Sequence, residues 1–215
     1  HIFMRPDQIT DEIIGVVGLI NQVYSKFGFD YFVELSTRPE NSMGSDEDWE
    51  AATNGLIKAL EKLNMPYIVN EGDGAFYGPK IDFHLRDSLG RTWQCGTIQL
   101  DFQMPLNFGL EYIAEDGSRQ RPIMIHRVCF GSIERFIGIL TEHFAGKFPT
   151  WLAPTQVKVL PVSDKSMDYA KEVYEALRGK MIRCELDTRN EKIGYKIREA
   201  RQVDRVPYML IIGAK

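Results

Sequence analysis

The feature that most constrains the fold is a change from helical to two-residue periodicity near Tyr67. Residues 80–86 and 91–102 alternate apolar and polar side chains, and the turn-forming residues 87–90 separate them. Such alternation places one face of a strand on a core and the other toward solvent or a ligand. We therefore predict an antiparallel hairpin here, and a second one that pairs residues 110–114 with residues 121–128.

Helical periodicity on both sides of these strands predicts helices that cover one face of the sheet. Residues 7–27 carry an apolar stripe that ends at Gly28, and residues 46–64 follow the helix-capping residue Ser45. A third helix over residues 131–144 also has to pack on the sheet. This order indicates an α+β domain with an antiparallel sheet and flanking helices over residues 1–150.

A different pattern follows the proline-bounded connection at residues 148–154. Three strand-like and two helix-like segments alternate there, over residues 157–162, 164–178, 183–187, 193–201 and 208–212. A βαβαβ order predicts mainly parallel strands. We therefore expect a separate small α/β domain over residues 151–215.

Composition excludes several classes of protein. With 44% hydrophobic and 26% charged residues the 215-residue chain is typical of a globular protein, and no apolar run approaches the roughly 18 residues of a membrane span. The net charge of −4 argues against a generally basic nucleic-acid coat protein, although a local basic patch stays possible. Three widely spaced cysteines predict a cytoplasmic, reducing compartment. The chain lacks an initial methionine and stops after a strand-like run, so we expect a fragment cut at both ends.

The segment from Met124 to Phe136 is the strongest candidate for a ligand site. A strand with His126 leads through Gly131-Ser132 into a helix in which Arg135 has apolar neighbours. Free N–H groups at a helix start attract phosphate, and a guanidinium among apolar side chains needs an anion. A salt bridge to Glu134 or another carboxylate meets the same need, so this segment alone leaves both interpretations open.

Three other segments carry polar groups in suggestive patterns. Simple alternation puts Cys95, Thr97, Gln99 and Asp101 on one face of their strand and Gln94 on the other, so the polar row is either a solvated surface or the floor of a cleft. The glycine-rich residues 72–80 suit an ordinary hairpin or a loop close to a ligand. No histidine has the local spacing of a zinc site, and a single strand histidine is more often a core residue.

In the second predicted domain, helical spacing places Arg189, Lys192 and Lys196 on one face, with Asn190 at the helix start. A solvated charged face is the common explanation for such a pattern. Contact with nucleic acid through phosphate pairing and base-edge hydrogen bonds is the functional alternative.

Taken together, these segments resemble the threonyl-tRNA synthetase family across essentially the whole chain, in order. The strings that carry the resemblance are Leu35–Glu40, Gly72–Ile81, Gln94–Phe102, Gly131–Phe136, Phe148–Pro154 and Arg189–Gly194. The resemblance implies a class II aminoacyl-tRNA synthetase with an antiparallel catalytic sheet and a C-terminal α/β anticodon-binding domain. It also implies that the full-length protein is a cytoplasmic homodimer that uses ATP with Mg²⁺ to activate threonine and transfers it to tRNA(Thr).

The resemblance assigns roles to individual residues. Arg135 would pair with the ATP phosphates as the catalytic residue, with Gln94, Thr97 and Ser132 lining the ATP site. Tyr77 and Gln99 would face threonine, and Lys80 the 3′ end of the tRNA. The anticodon-side tRNA contacts would come from Arg189, Asn190, Lys192 and Lys196.

The family's catalytic zinc is held by one cysteine and two histidines, which match His1 and His126 here. Threonine would complete the coordination through its amino and hydroxyl groups, which valine cannot do. The cysteine ligand and the second-motif arginine lie upstream of His1 in the family, and Cys95 is not equivalent to that cysteine. We therefore expect the isolated fragment to be inactive.

Two other functions stay open from the sequence. A non-catalytic, synthetase-like RNA-binding or regulatory protein fits if the natural chain lacks the upstream motifs. Another class II synthetase, such as the prolyl or seryl enzyme, is a weaker alternative, because the paired His1 and His126 argue against it.

Overall fold

The computed structural model describes residues 1–213 and divides the chain into two compact units, residues 1–139 and residues 140 onward. The first unit has a mostly antiparallel sheet with flanking helices and the second a parallel sheet with helices, so the predicted α+β class is confirmed. The domain boundary that the sequence predicts, between residues 150 and 151, lies further along the chain and stays a prediction.

The elements of the first unit are β1 (Ile2–Met4), α1 (Ile9–Phe27), β2 (Tyr31–Ser36), α2 (Asp46–Lys62), β3 (Ile68–Asn70), β4 (Lys80–Arg86), β5 (Thr92–Asp101), α3 (Gln103–Asn107), β6 (Tyr112–Ile113), β7 (Arg119–Gln120), β8 (Ile123–Val128) and α4 (Ile133–His143), which begins in this unit. Its main sheet has six strands in the order β1-β8-β5-β4-β2-β3, in which only β2 and β3 run parallel. A short ribbon of β6 and β7 stands apart from this sheet.

The second predicted hairpin is wrong in its pairing. β6 pairs with β7, whereas β8 pairs with β5 on one side and β1 on the other. Pro122 stands between β7 and β8, and because proline has no N–H to donate, the ribbon's ladder cannot continue through it. The consequence for function is that β8 joins the main sheet and brings His126 directly opposite Gln99.

The core lies on one face of the main sheet. Its central side chains are at most 1% exposed: Leu35, Ile81, Ile98, Leu100 and Ile125. The helices α1 and α2 bury their apolar stripes on this side, and Ser45 caps α2 as predicted by accepting a hydrogen bond from the Asp48 backbone N–H. Since one face is filled by the core, the polar side chains of the same strands are displayed together on the other face.

Because of a β-bulge at Cys95, the predicted facing of Gln94 and Cys95 on β5 is wrong. Phe83 lies opposite Gly96 and His84 opposite Gln94, so β5 has one residue more than β4 at this point. The extra residue moves Gln94 to the face of Thr97 and leaves Cys95 in the core, 2% exposed. A Cβ on Gly96 would lie 2.7 Å from the Tyr24 hydroxyl oxygen, which explains the glycine beside the bulge.

The elements of the second unit are β9 (Val157–Pro161), α5 (Met167–Gly179), β10 (Cys184–Leu186), α6 (Ile193–Gln202) and β11 (Tyr208–Ile212). Its three strands form a parallel sheet in the order β10-β9-β11, as the βαβαβ sequence pattern predicts. Across residues 1–213, no helix is both long and apolar enough to span a bilayer.

The turn between β4 and β5 is organised by Asp87, which is 7% exposed. Its carboxylate accepts hydrogen bonds from the backbone N–H groups of Leu89 and Arg91, from the Arg91 guanidinium and from the Trp93 indole. Burial alone raises the pKa of this carboxyl, but the hydrogen bonds outweigh burial and lower the pKa to about 2. Asp87 therefore stabilises the hairpin in its ionised form.

This arrangement predicts an acid-sensitive contribution to stability. An unfolded aspartate has a pKa of about 3.9, so the stabilisation is present above that value and is lost as the pH falls toward the lower folded pKa. The unfolding free energy of the chain should exceed that of Asp87→Asn near pH 6, and the difference should shrink toward about pH 3. Urea titrations at both pH values measure it; a difference independent of pH would contradict the assignment.

Candidate active site

Direct cross-strand pairing aligns four polar residues on the open face of the sheet. Ser36 lies opposite Lys80, Lys80 opposite Gln99, and Gln99 opposite His126. We call these four residues row one. They come from β2, β4, β5 and β8, so the sheet itself brings together three residues that the resemblance assigned to the tRNA terminus, to threonine and to zinc: Lys80, Gln99 and His126.

Tyr77 closes over row one from the loop before β4. Its hydroxyl donates a 2.5 Å hydrogen bond to the Gln99 side-chain oxygen, and its ring lies 5.6 Å from the His126 ring, centroid to centroid. Burial and the Asp101 carboxylate raise the pKa of Tyr77, so its hydroxyl stays a protonated donor at neutral pH. The Tyr77–Gln99 pair predicted to face threonine is therefore a formed, hydrogen-bonded unit.

A second cross-strand row, Glu34, Asp82, Thr97 and Val128, lies beside the first. We call it row two. Asp82 is 1% exposed, and its two carboxylate oxygens accept hydrogen bonds from Lys80, Gln94 and Thr97 at 2.7, 2.6 and 2.7 Å. The three donors are all predicted site residues, and the carboxylate that joins them is not.

Lys80 is held between Asp82 and the more exposed Asp73, at 2.7 and 3.0 Å. Burial lowers the pKa of the Lys80 ammonium, but hydrogen bonds to the two carboxylates outweigh it, and the net shift is upward. The side chain is therefore a fixed positive charge and not a proton acceptor at neutral pH.

The structure corrects the environment predicted for Arg135. The residue is exposed, as are its neighbours Ile133 and Ile137, and no carboxylate within residues 1–213 forms an ion pair with it. Its guanidinium donates a 2.6 Å hydrogen bond to the backbone oxygen of Gln94, and Glu134 instead accepts from the Ser132 hydroxyl. The internal salt bridge to Glu134 is therefore excluded, and the guanidinium keeps most of its donors available beside Gln94, a residue that the resemblance assigns to ATP.

Ser132 and Gly131 shape the start of α4 next to this guanidinium. The Ser132 hydroxyl accepts from the Arg135 backbone N–H at 3.4 Å, as a helix-capping residue does. Gly131 has φ +65°, and a Cβ there would lie 3.1 Å from both the Arg135 guanidinium and the Cys95 backbone oxygen. Close packing of α4 on β5 thus depends on glycine at this position.

His126 and His1 lie together at the β8 end of row one. Their rings are 4.8 Å apart, edge to face, and His126 Nε2 lies 2.8 Å from a carboxylate oxygen of the buried Asp101. A carboxylate on one imidazole nitrogen is the usual way of orienting a metal-ligating histidine, so this pair fits two positions of a zinc site. Within residues 1–213 no group of three or more His, Cys, Asp or Glu residues forms a metal site, so the donor set is partial.

The second unit separates the four residues predicted to contact tRNA there. Lys196 is 3% exposed and its ammonium donates to the Asp187 backbone oxygen at 3.2 Å, so it does not share an open face with Lys192. Arg189 forms ion pairs with Asp187 and Glu199. Asn190 and Lys192 are exposed. The predicted single charged face is therefore wrong for Lys196, because Asp187, which precedes the helix, draws that side chain inward.

Asp82 and Asp101 are the site residues that sequence reasoning missed. A signal existed for each, because Asp82 lies on the polar side of the alternating strand that begins at Lys80 and Asp101 shares the predicted polar face of Gln99. Neither signal indicates which side chains form hydrogen bonds with the carboxylate. Thr97 meets Asp82 because β4 pairs with β5, and Gln94 meets it because of the bulge at Cys95.

Comparison with known proteins agrees with this geometry. The family model "tRNA synthetase class II core domain (G, H, P, S and T)" matches residues 1–144, and the model "Anticodon binding domain" matches residues 156–215. The threonine–tRNA ligases of Clostridioides difficile and of Caldanaerobacter subterraneus subsp. tengcongensis are 71% and 70% identical over 100% and 99% of this chain. The chain spans about a third of those relatives, 34% and 33% of their lengths.

A solved structure described as the RNA binding domain of threonyl-tRNA synthetase from Cryptosporidium parvum Iowa II is also similar. Its TM-score is 0.94 at 42% sequence identity, over 98% of this chain and 53% of that one. The resemblance inferred from short strings of sequence is thus confirmed over the full length of the chain. The chain belongs to the class II tRNA synthetases, in the group whose core model covers the glycine, histidine, proline, serine and threonine enzymes.

Proposed function

We propose that the natural protein containing this chain is a threonine–tRNA ligase, which forms threonyl-adenylate from threonine and ATP and transfers threonine to tRNA(Thr). The observation that carries the proposal is the gathering of the ATP-side and threonine-side residues on one open sheet face next to Arg135. High identity to curated threonine–tRNA ligases supports the choice of amino acid.

In this proposal the sheet face acts by positioning and charge neutralisation. The threonine carboxylate attacks the α-phosphorus of ATP and pyrophosphate leaves, so the reaction needs alignment of two anions more than a proton acceptor. Arg135 neutralises phosphate charge from the start of α4, with Ser132, Gln94 and Thr97 lining the nucleotide site. Mg²⁺ accompanies ATP as its counter-ion.

Row one and Tyr77 serve the amino acid and the tRNA terminus. The Tyr77–Gln99 hydrogen bond fixes both side chains before threonine arrives, which reduces the entropy lost on binding. Lys80, held as a cation by two carboxylates, faces the negatively charged 3′ end of the tRNA. The resemblance implies these roles, and the positions of Lys80, Tyr77 and Gln99 on the open face of the sheet support them.

His1 and His126 are the residues that would hold zinc. When bound, zinc would supply coordination positions for the amino and hydroxyl groups of threonine and so distinguish it from valine. Asp101 holds Nε2 of His126 and so fixes which nitrogen stays available. Metal analysis of the complete natural protein should find about one zinc per chain.

The second unit would contact the anticodon through Asn190 and Lys192, with Arg189 and Lys196 shaping the loop through Asp187. The full-length protein would be a cytoplasmic homodimer. The test of the whole proposal is charging: the complete natural protein, given ATP, Mg²⁺ and threonine, should produce threonyl-tRNA from tRNA(Thr). Binding of tRNA without charging would support the non-catalytic alternative.

The division of labour between the units predicts a selective loss in Asn190→Ala. Charging efficiency, kcat/KM for tRNA, should fall by about tenfold, the effect of losing one or two base-edge hydrogen bonds, while threonine-dependent ATP–pyrophosphate exchange stays unchanged. Asn54→Ala, at another exposed asparagine, which lies on α2, is the matched control and should change neither reaction. Equal losses of exchange and charging in Asn190→Ala would contradict the division.

A further inference from the structure

Asp82 has an unusual position for an ionised side chain. It is 1% exposed, in the middle of β4, and every strong donor that reaches its carboxylate is a side chain on the open face of the sheet. One oxygen accepts from Lys80, and the other accepts from both Gln94 and Thr97. A buried carboxylate is costly to desolvate, and these three bonds are what compensates for it.

The shared acceptor holds the three donors in one arrangement, and for Gln94 and Thr97 it accepts their shortest side-chain hydrogen bonds. Gln94 is exposed and three rotatable bonds set the position of its amide, so without Asp82 it would sample several rotamers. Thr97 also lies 3.4 Å from the Gln94 amide nitrogen, which makes the two side chains neighbours around the same oxygen. Fixing a flexible polar side chain before a ligand binds increases affinity by lowering the entropy cost of binding.

We infer that Asp82 is a positioning residue for the nucleotide site, which acts through Gln94 and Thr97 and links their geometry to Lys80 on the tRNA side. The inference rests on the proposed function, because it takes Gln94 and Thr97 as the nucleotide-facing groups. Asp82 itself is 1% exposed and so is not placed to contact a ligand directly. Its effect on catalysis is therefore indirect, through the orientation of Gln94, Thr97 and Lys80.

A purely structural role for Asp82 is the competing explanation, and the chain offers a matched control for it. Asp87 is a second buried aspartate of the same hairpin, with four donors of its own, and its donors belong to the turn and not to the open face. Loss of stability alone should affect Asp87→Asn and Asp82→Asn in the same way. Loss of positioning should affect only Asp82→Asn.

The experiment measures binding of MgATP to the complete natural protein by calorimetry, together with KM for ATP in threonine-dependent exchange. Asp82→Asn keeps the size of the side chain but cannot accept from all three donors, and the dissociation constant for MgATP should rise by about tenfold or more. Asp82→Glu keeps the charge and should stay within about threefold of wild type. Asp87→Asn should bind MgATP as wild type does, whatever its melting temperature.

If Asp82→Asn does not fold, Thr97→Val tests the inference instead. In that variant the buried Asp82 carboxylate still accepts hydrogen bonds from Lys80 and Gln94. Thr97→Val should weaken MgATP binding, and Thr97→Ser, which keeps the hydroxyl, should weaken it less than Thr97→Val does. Unchanged MgATP binding in Asp82→Asn, or in Thr97→Val, overturns the inference. A wild-type protein that binds MgATP but shows no threonine-dependent exchange overturns the proposed function alone, since the binding comparison among variants still decides the role of Asp82.

Discussion

Arg135→Ala should lower ATP-dependent activation of threonine by about 10²–10³-fold, the effect of removing one preorganised donor set from a developing phosphate charge. The side chain is exposed and its one hydrogen bond to protein in residues 1–213 goes to a backbone oxygen, so the change should alter the unfolding free energy by less than about 1 kcal/mol. Pyrophosphate exchange and urea unfolding of the complete natural protein measure the two effects.

Arg135→Lys separates charge from shape at the same position. Lysine keeps the positive charge but lacks the planar fork that engages phosphate with two donors, so activity should fall between those of wild type and Arg135→Ala. A structural role for Arg135 would give the opposite pattern. In that case Arg135→Ala would unfold at much lower urea while its KM for ATP stayed unchanged.

Gly78→Ala should be the most destabilising single substitution on the site face. A Cβ at Gly78 would lie 1.9 Å from the Leu100 backbone oxygen, and a backbone atom of a central strand cannot move aside as a side chain can. The loop would have to lift from β5, and the Tyr77–Gln99 hydrogen bond would break with it. We expect a loss of more than about 3 kcal/mol of unfolding free energy, at the upper end of overpacking effects.

Gly18→Ala is the matched control for Gly78→Ala. Gly18 is exposed in the middle of α1, and a Cβ there meets no atom within 4 Å. Alanine in a helix interior is more favourable than glycine by roughly 0.5–1 kcal/mol, so this change should stabilise the chain. Chemical denaturation compares the two variants, and a Gly78→Ala protein as stable as wild type would show that the loop does not dock on β5.

Local patterns were sufficient to predict most of the elements. The apolar stripe that ends at Gly28, the capping residue Ser45 and the alternation of β4 each specify an element without help from distant residues, and the structure has all three. The βαβαβ order likewise predicted the parallel sheet of the second unit. These features depend on local propensity and on burial of one face, which a single sequence records.

The errors have a different physical origin, because each depends on how elements pack on one another and not on the pattern within one element. The bulge at Cys95 follows from the packing of Gly96 against Tyr24 of α1, although a glycine inside a strand was a usable signal for it. The burial of Lys196 follows from Asp187, and the exposure of Arg135 from how α4 meets β5. The spacing of residues along a helix predicts which side chains share a face. It does not predict whether that face is buried against the rest of the fold.

The roles assigned to the site residues come from the resemblance and remain predictions, while the structure adds how those residues are held. It places Lys80, Gln94 and Thr97 around one carboxylate and Tyr77 on Gln99. No sequence pattern in a single chain specifies that shared acceptor. The open face is thus a connected polar network built on a rigid sheet, which is what a site that works by positioning requires.

The most direct test of the central claim is amino-acid-dependent ATP–pyrophosphate exchange by the complete natural protein that contains this chain. The assay compares threonine with serine, valine and proline at equal ATP and Mg²⁺. Threonine should give the highest kcat/KM of the four, with valine giving almost none. A higher kcat/KM for serine or proline, or exchange with none of the four, would contradict the account.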